Sequence, residues 1–193
     1  MKDHIRGYLD RLEAALATIP AEQVEDLSAR LYRSYQDGKQ VFVLGNGGSA
    51  STASHMAADL AKNTIGPNMR RFRIISLNDN IPLLTALSND MGYHRVFAEQ
   101  LVNLIRPGDV LVVISGSGNS PNVLRAIEYA RGQCAQIVGL LGFSGGRAAE
   151  LCDTAIIVSS DDYGVVEDAH LILNHILVEY FRDRLLREVP TYA

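Results

Sequence analysis

Val41-Phe-Val-Leu-Gly-Asn-Gly-Gly-Ser-Ala50 decides the fold. The apolar run from Val41 to Leu44 reads as a buried strand, and the glycine-rich stretch after it as a tight turn. Helix-compatible residues follow, from Ser51 to Asn63. Strand, glycine turn, helix is the order in which α/β proteins aim backbone N–H groups at an anion. Glycine lets the chain turn sharply and approach a ligand with no Cβ in the way. The same arrangement returns later. Val110-Leu-Val-Val-Ile114 runs into Ser115-Gly-Ser-Gly-Asn-Ser120, and Pro121 opens another helix. Two such loops in one chain point to one ligand held from two sides.

Outward from these loops, strands and helices alternate. Further strands are expected at Arg73–Leu77, Ile137–Leu141 and Thr154–Val158. Helices are expected at Ile81–Leu87, Tyr93–Leu104, Pro121–Gly132, Ala148–Cys152 and from about Val165 to Leu186. The fold class is therefore α/β, a doubly wound parallel sheet of about five strands covered by helices on both faces. Ile5, Leu9, Leu12, Ala15 and Leu16, then Val24, Leu27, Leu31 and Tyr32, recur at helical spacing. They predict two amphipathic helices ahead of the first strand. Residues 1–37 thus form a helical extension on a single domain of residues 1–193. Its apolar faces are expected to pack on other subunits as well as on the sheet.

Of the 193 residues, 47% are hydrophobic, enough for a sizeable core. No apolar run approaches the roughly 18 residues of a membrane span, and the N-terminus is amphipathic and unlike a signal region. No membrane association and a cytoplasmic location are expected. The net charge of −4 argues against a nucleic-acid partner. It does not exclude a phosphate ligand, which N–H donors and helix dipoles can hold on an acidic protein. Arg70, Arg71 and Arg73 form the one basic knot and read as a solvated face. Cys134 and Cys152 have no metal spacing and are expected to be buried free thiols.

The first loop lacks the GxGxxG spacing and a ribose-binding acid, and neither loop has a phosphate-loop lysine. No nucleotide cofactor is expected. Ser115, Ser117, Asn119 and Ser120 offer neutral donors at a helix N-terminus, which suits a phosphate monoester. The same residues could simply cap helices. Two loops, each after an apolar strand, favour the ligand.

His55 and Asp59 are four residues apart, on one face of their helix. On the last helix, Glu167 and His175 are eight apart and share one side, with His170 offset from them. Their neighbours are apolar nearly all round, so this helix is expected to be buried. A Glu and two His residues in such a place need partners or a task.

Gly45-Asn-Gly-Gly-Ser-Ala50, Ser88-Asn-Asp90, Gly108-Asp-Val110, Ser115-Gly-Ser-Gly-Asn-Ser120 and the helix Glu167 to Tyr180 together resemble the sugar isomerase (SIS) domain. Within that superfamily the chain is most similar to the phosphoheptose isomerases, and the resemblance covers almost the whole chain. It implies an aldose–ketose isomerase interconverting sedoheptulose 7-phosphate and a manno-heptose 7-phosphate through an enediol. It further implies a homotetramer in heptose biosynthesis. Asp59, Glu167 and His175 would be the catalytic candidates. His55, Asp59, Glu167 and His175 would be ligands for a divalent metal such as zinc. Asn46, Gly47, Gly48, Ser49, Asn89, Asp90, Ser115, Gly116, Ser117, Asn119, Ser120 and Glu167 would contact the substrate. The chain departs from the family pattern at three of these positions. Asp59 stands where the family has Glu, Glu167 where it has Gln, and Gly116 where many relatives have Thr. Asp reaches about an ångström less far than Glu, so the base is either Asp59 in a remodelled site or Glu167. The alternatives are isomerisation of a hexulose or pentose phosphate, or a non-enzymatic SIS-domain regulator of replication initiation.

Overall fold

The parallel sheet has the order β2-β1-β3-β4-β5 in the computed structural model, which describes residues 1–66 and 69–187. The strands are β1 (Gln40–Gly45), β2 (Arg73–Ser76), β3 (Val110–Ser115), β4 (Gln136–Gly142) and β5 (Thr154–Val158). The helices are α1 (Lys2–Leu16), α2 (Ala21–Asp37), α3 (Gly48–Lys62), α4 (Ile81–Met91), α5 (Val96–Leu104), α6 (Pro121–Gly132), α7 (Gly146–Leu151) and α8 (Tyr163–Arg187). A 3-10 turn, Tyr93–Arg95, precedes α5.

Alternation along β1 and β3 sorts side chains to the two faces. Val41, Val43, Val110, Val112 and Ile114 pack with Leu27 and Leu31 of α2, Met56 and Leu60 of α3, and Phe181 of α8. Phe42, Leu44, Leu111 and Val113 pack with Phe97 and Leu101 of α5 and with Val123 and Ile127 of α6. Burying each such side chain contributes about 1.5–3 kcal/mol before chain entropy is counted. The β1–β3 register pairs Val41 with Val110 and Gly45 with Ile114. It therefore brings the two sequence loops side by side at the carboxyl ends of neighbouring strands. Because β2 lies on one side of β1 and β3 on the other, this is the topological switch point, where open α/β sheets bind ligands.

Every expected strand is present, with ends shifted by at most one residue. The helices differ more. α3 begins at Gly48, so the glycine turn is itself the start of the helix. α4 continues past Leu87 to Met91 and stops at Gly92, whose φ of 87° ends it and splits the expected Tyr93–Leu104 helix into a 3-10 turn and α5. α2 seals one face of the sheet, with Leu27 and Leu31 at 0% exposure. α1 packs along α8 and leaves Ile5 and Leu9 exposed.

Two expectations need correction. Cys134 is exposed, in a left-handed turn (φ 57°) after α6. Cys152 is partly buried, and burial pushes its thiol up to about 12. The last helix is not buried all round: His170, Asn174 and Leu177 face the core, whereas His175, Ile176, Glu179 and Tyr180 are exposed. The basic knot serves the fold. Arg70 donates to the Gln36 carbonyl and Arg73 to the Gly38 carbonyl, at the C-terminal end of α2, where cations complement the helix dipole.

Candidate active site

A pocket of about 100 Å³ lies at the switch point, lined by Asn46, Ser49, Ile114, Ser115, Gly116, Ser117, Ser120, Tyr163 and Glu167. Its floor is the serine loop. Ser115 Oγ accepts from Gly118 N (3.1 Å) and Ser117 Oγ from Asn119 N (3.3 Å). A hydroxyl that accepts from the backbone keeps its own O–H free to donate, so both serines can give hydrogen bonds to an anion. Asn119 shapes this loop, donating to Ser117 O and accepting from Arg147 N. Ser120 is the N-cap of α6, and Pro121 occupies its first turn. The macrodipole of α6 adds a positive end to the same corner.

The opposite wall is the start of α3. Gly47, at φ 58° and ψ −125°, makes the turn, and Ser49 is buried in the first turn. The carboxylate of Glu167 lies directly against Gly48. A Cβ there would fall 2.1 Å from Oε2, so no other residue fits without moving Glu167. Asn46 lines the pocket, but its amide is engaged: Oδ1 accepts from Asn122 Nδ2 and from Tyr93 Oη, each at 2.8 Å, and Nδ2 donates to Asn122 Oδ1 at 2.9 Å. Asn78 likewise clamps Gly45, accepting from its N–H and donating to its carbonyl. Asn89 and Asp90 are not among the lining residues; they sit exposed near the end of α4, joined by a 2.8 Å hydrogen bond.

α3 and α8 run side by side, and further along the seam a second group gathers. Asp59 Oδ2 lies 3.1 Å from His55 Nε2 and 4.0 Å from His175 Nε2. The two imidazoles meet edge-to-face with centroids 5.2 Å apart. One ligand atom from each of the three residues lies within 4.8 Å of the others, so they could hold a divalent cation. Donors around a tetrahedral metal with bonds of about 2.0–2.2 Å stand roughly 3.3–3.6 Å apart; the His55–Asp59 pair is near that spacing and the His175–Asp59 pair is wider. Glu167, expected with them as a fourth ligand, is outside this group and lies instead in the serine-lined pocket.

Asn174 is the polar residue on α8 that the sequence reading missed. It is fully buried and donates to Asp59 Oδ2 at 3.1 Å, while Asn63 donates to Oδ1 at 3.0 Å. Its signal in the sequence is an amide directly before His175, one turn after His170, in an apolar run. His170 itself is at 0% exposure, with Nε2 3.1 Å from the Leu141 carbonyl. Burial holds its pKa down to about 4, against the smaller opposing effect of that carbonyl. Neutral and fixed, it anchors α8 to β4 and leaves His175 as the solvent-facing imidazole.

The SIS domain model matches residues 4–142. The phosphoheptose isomerase of Trichlorobacter lovleyi is 36% identical over 192 residues, covering 96% of this chain and 91% of its own. That of Pelobacter propionicus is 40% identical over 182 residues, covering 93% and 96%. The solved phosphoheptose isomerase of Neisseria gonorrhoeae superposes with a TM-score of 0.85 at 27% identity, covering 94% of this chain and 96% of that one. With the switch-point pocket, the His–Asp group and these full-length matches together, the chain belongs to the SIS domain family, among the phosphoheptose isomerases.

Proposed function

We propose that this protein is an aldose–ketose isomerase that interconverts sedoheptulose 7-phosphate and D-glycero-D-manno-heptose 7-phosphate. The observation that carries the reading is the pairing of a serine-lined pocket at the switch point with a His55–Asp59–His175 group on the same two helices, α3 and α8, in a chain whose relatives over nearly its full length are phosphoheptose isomerases.

The chemistry follows from the groups present. Ser115 and Ser117, with the α6 N-terminus, hold the phosphate and fix the chain's register, which supplies the positioning part of catalysis. Proton transfer between C1 and C2 needs a base for carbon and an acid for oxygen. We assign Asp59 and His175 to this work because they face each other across the seam, and Glu167 to the sugar hydroxyls because it lines the pocket. His55, Asp59 and His175 would hold a divalent cation such as zinc. When bound, such a metal polarises the carbonyl and hydroxyl oxygens of the sugar.

Exposed Ile5, Leu9, Ile176 and Tyr180 support a homotetramer as part of the same proposal, with α1 and α8 at the subunit contacts; light scattering giving a monomer mass would reject that assembly. A cytoplasmic location belongs to the same reading. The test of function is conversion of sedoheptulose 7-phosphate by the purified, zinc-supplemented protein, compared with hexulose and pentose phosphates. Preference for the seven-carbon substrate is expected. Equal or better turnover of a pentose phosphate would overturn the assignment.

A further inference from the structure

We propose that Tyr163 is a specificity-determining residue, a platform for the carbon chain of the substrate that exists because position 116 is glycine. The inference rests on the sugar-phosphate reading above. Tyr163 opens α8, one turn before Glu167, and lines the pocket with it. Its ring lies against the backbone of Gly116: an ideal Cβ on Gly116 would be 2.9 Å from both Cδ1 and Cε1 of the ring. Real Cβ atoms do not sit that close to a ring packed in place. Any side chain at 116 and the ring in its present position are therefore mutually exclusive.

The ring is held from behind. Phe143 meets it edge-to-face, with centroids 4.8 Å apart at 71°, a favoured aromatic geometry. Phe143 has a φ of 51°, a conformation that bulky residues rarely adopt and that persists only where the surroundings enforce it. Here Phe143 N donates to Ser160 O, and the preceding Gly142 N donates to Gly116 O. The serine loop, the Phe143 turn and Tyr163 are thus tied into one unit.

Tyr163 is nevertheless 57% exposed. It presents an open aromatic surface beside the phosphate donors, with a carboxylate four residues on. That combination suits a phosphorylated polyol. The ring covers a C–H face of the chain, Glu167 accepts from its hydroxyls, and Ser115 and Ser117 take the phosphate. Inorganic phosphate needs only the last of these.

The test compares wild type, Tyr163→Ala, Tyr163→Phe, Gly116→Ala and the Tyr163→Ala/Gly116→Ala double variant. Each is titrated by calorimetry with sedoheptulose 7-phosphate and with inorganic phosphate, and each is assayed for isomerisation. Tyr163→Ala and Gly116→Ala should each raise Kd and KM for the sugar phosphate by roughly 10-fold with kcat little changed, the mark of uniform binding. Phosphate affinity should stay within about twofold of wild type, and Tyr163→Phe should behave as wild type. The double variant should be no weaker than either single one, because both remove the same contact. The platform is rejected if Tyr163→Ala leaves sugar-phosphate affinity unchanged, if it weakens inorganic phosphate equally, or if the two substitutions add. If wild type binds the sugar phosphate but does not isomerise it, the catalytic reading fails and the calorimetry still decides the platform. No binding of sedoheptulose 7-phosphate by wild type overturns both.

Discussion

Asn174 donates through Nδ2 to Asp59 Oδ2 at 3.1 Å, across the seam between α8 and α3. With Asn63 on Oδ1, it fixes the carboxylate so that Oδ2 faces both His55 and His175. A shorter acid than the family's glutamate is thereby held in one orientation by two amides. Among the described residues the carbonyl Oδ1 of Asn174 has no hydrogen-bond partner in its buried position, a cost of about 1–3 kcal/mol that an apolar residue would not carry. Asn174→Leu should therefore fold at least as well as wild type by thermal melting. Its zinc affinity should fall by about 10- to 100-fold, as when partners that orient metal ligands are lost. Unchanged affinity in a metal titration would show that Asp59 does not depend on Asn174.

The serine loop makes a separate prediction. Ser117 keeps its O–H free because its oxygen accepts from Asn119 N. Ser117→Ala should raise KM for the sugar phosphate by about 10-fold or more, in line with ~1.5–3 kcal/mol for a hydrogen bond to a charged group. In contrast to Tyr163→Ala, it should weaken inorganic phosphate as well. Calorimetry with phosphate alone separates the two.

The division of labour between the carboxylates can be read from two conservative variants. Asp59→Asn should lower kcat at least about 100-fold, the scale of a lost general acid or base. Glu167→Gln keeps a group able to accept from a hydroxyl and should retain activity, with its change mainly in KM. A large kcat loss in Glu167→Gln, with Asp59→Asn still active, would exchange the two roles.

His170 gives the fold a pH limit. It protonates near 6.5 when unfolded but only near 4 in the folded chain. Between those values the unfolded state binds more protons, so this contribution to stability is fully present above pH 6.5 and is lost as pH falls toward 4. The slope from one such group reaches about 1.4 kcal/mol per pH unit. Denaturant unfolding of wild type and His170→Leu across this window should show a shallower pH dependence in the variant. Identical slopes would remove His170 from the account.

The sheet was legible in the sequence because strands buried on both faces are short apolar runs that glycine and serine turns interrupt. The β1 and β3 runs, with the loops that leave them, were enough to place the serine loop and the glycine turn side by side at the switch point, where the small pocket lies. The meeting of α3 and α8 at His55, Asp59 and His175 is what the family resemblance implies, and helical spacing alone does not give it. Helical spacing put Glu167 and His175 on one side of α8, but eight residues separate them by about 12 Å, so only His175 reaches His55 and Asp59. Asn46 reads like a ligand because it follows a strand, yet its amide is engaged by Asn122 and Tyr93 from distant elements. Asn174 and Tyr163 lie in segments that otherwise read as ordinary helix. Their roles come from tertiary contacts with Asp59 and Gly116, which no local pattern encodes.

The central claim is that Asp59 and His175 move a proton between C1 and C2 of a seven-carbon sugar phosphate anchored by the serine loop. Incubating the zinc-loaded protein with sedoheptulose 7-phosphate in D2O, followed by NMR, tests it directly. The account predicts conversion to D-glycero-D-manno-heptose 7-phosphate with deuterium appearing at C2, at a rate reduced at least about 100-fold in His175→Ala while its oligomeric state is kept. Wild-type protein that gives neither conversion nor deuterium exchange, or His175→Ala that exchanges at the wild-type rate, would contradict it.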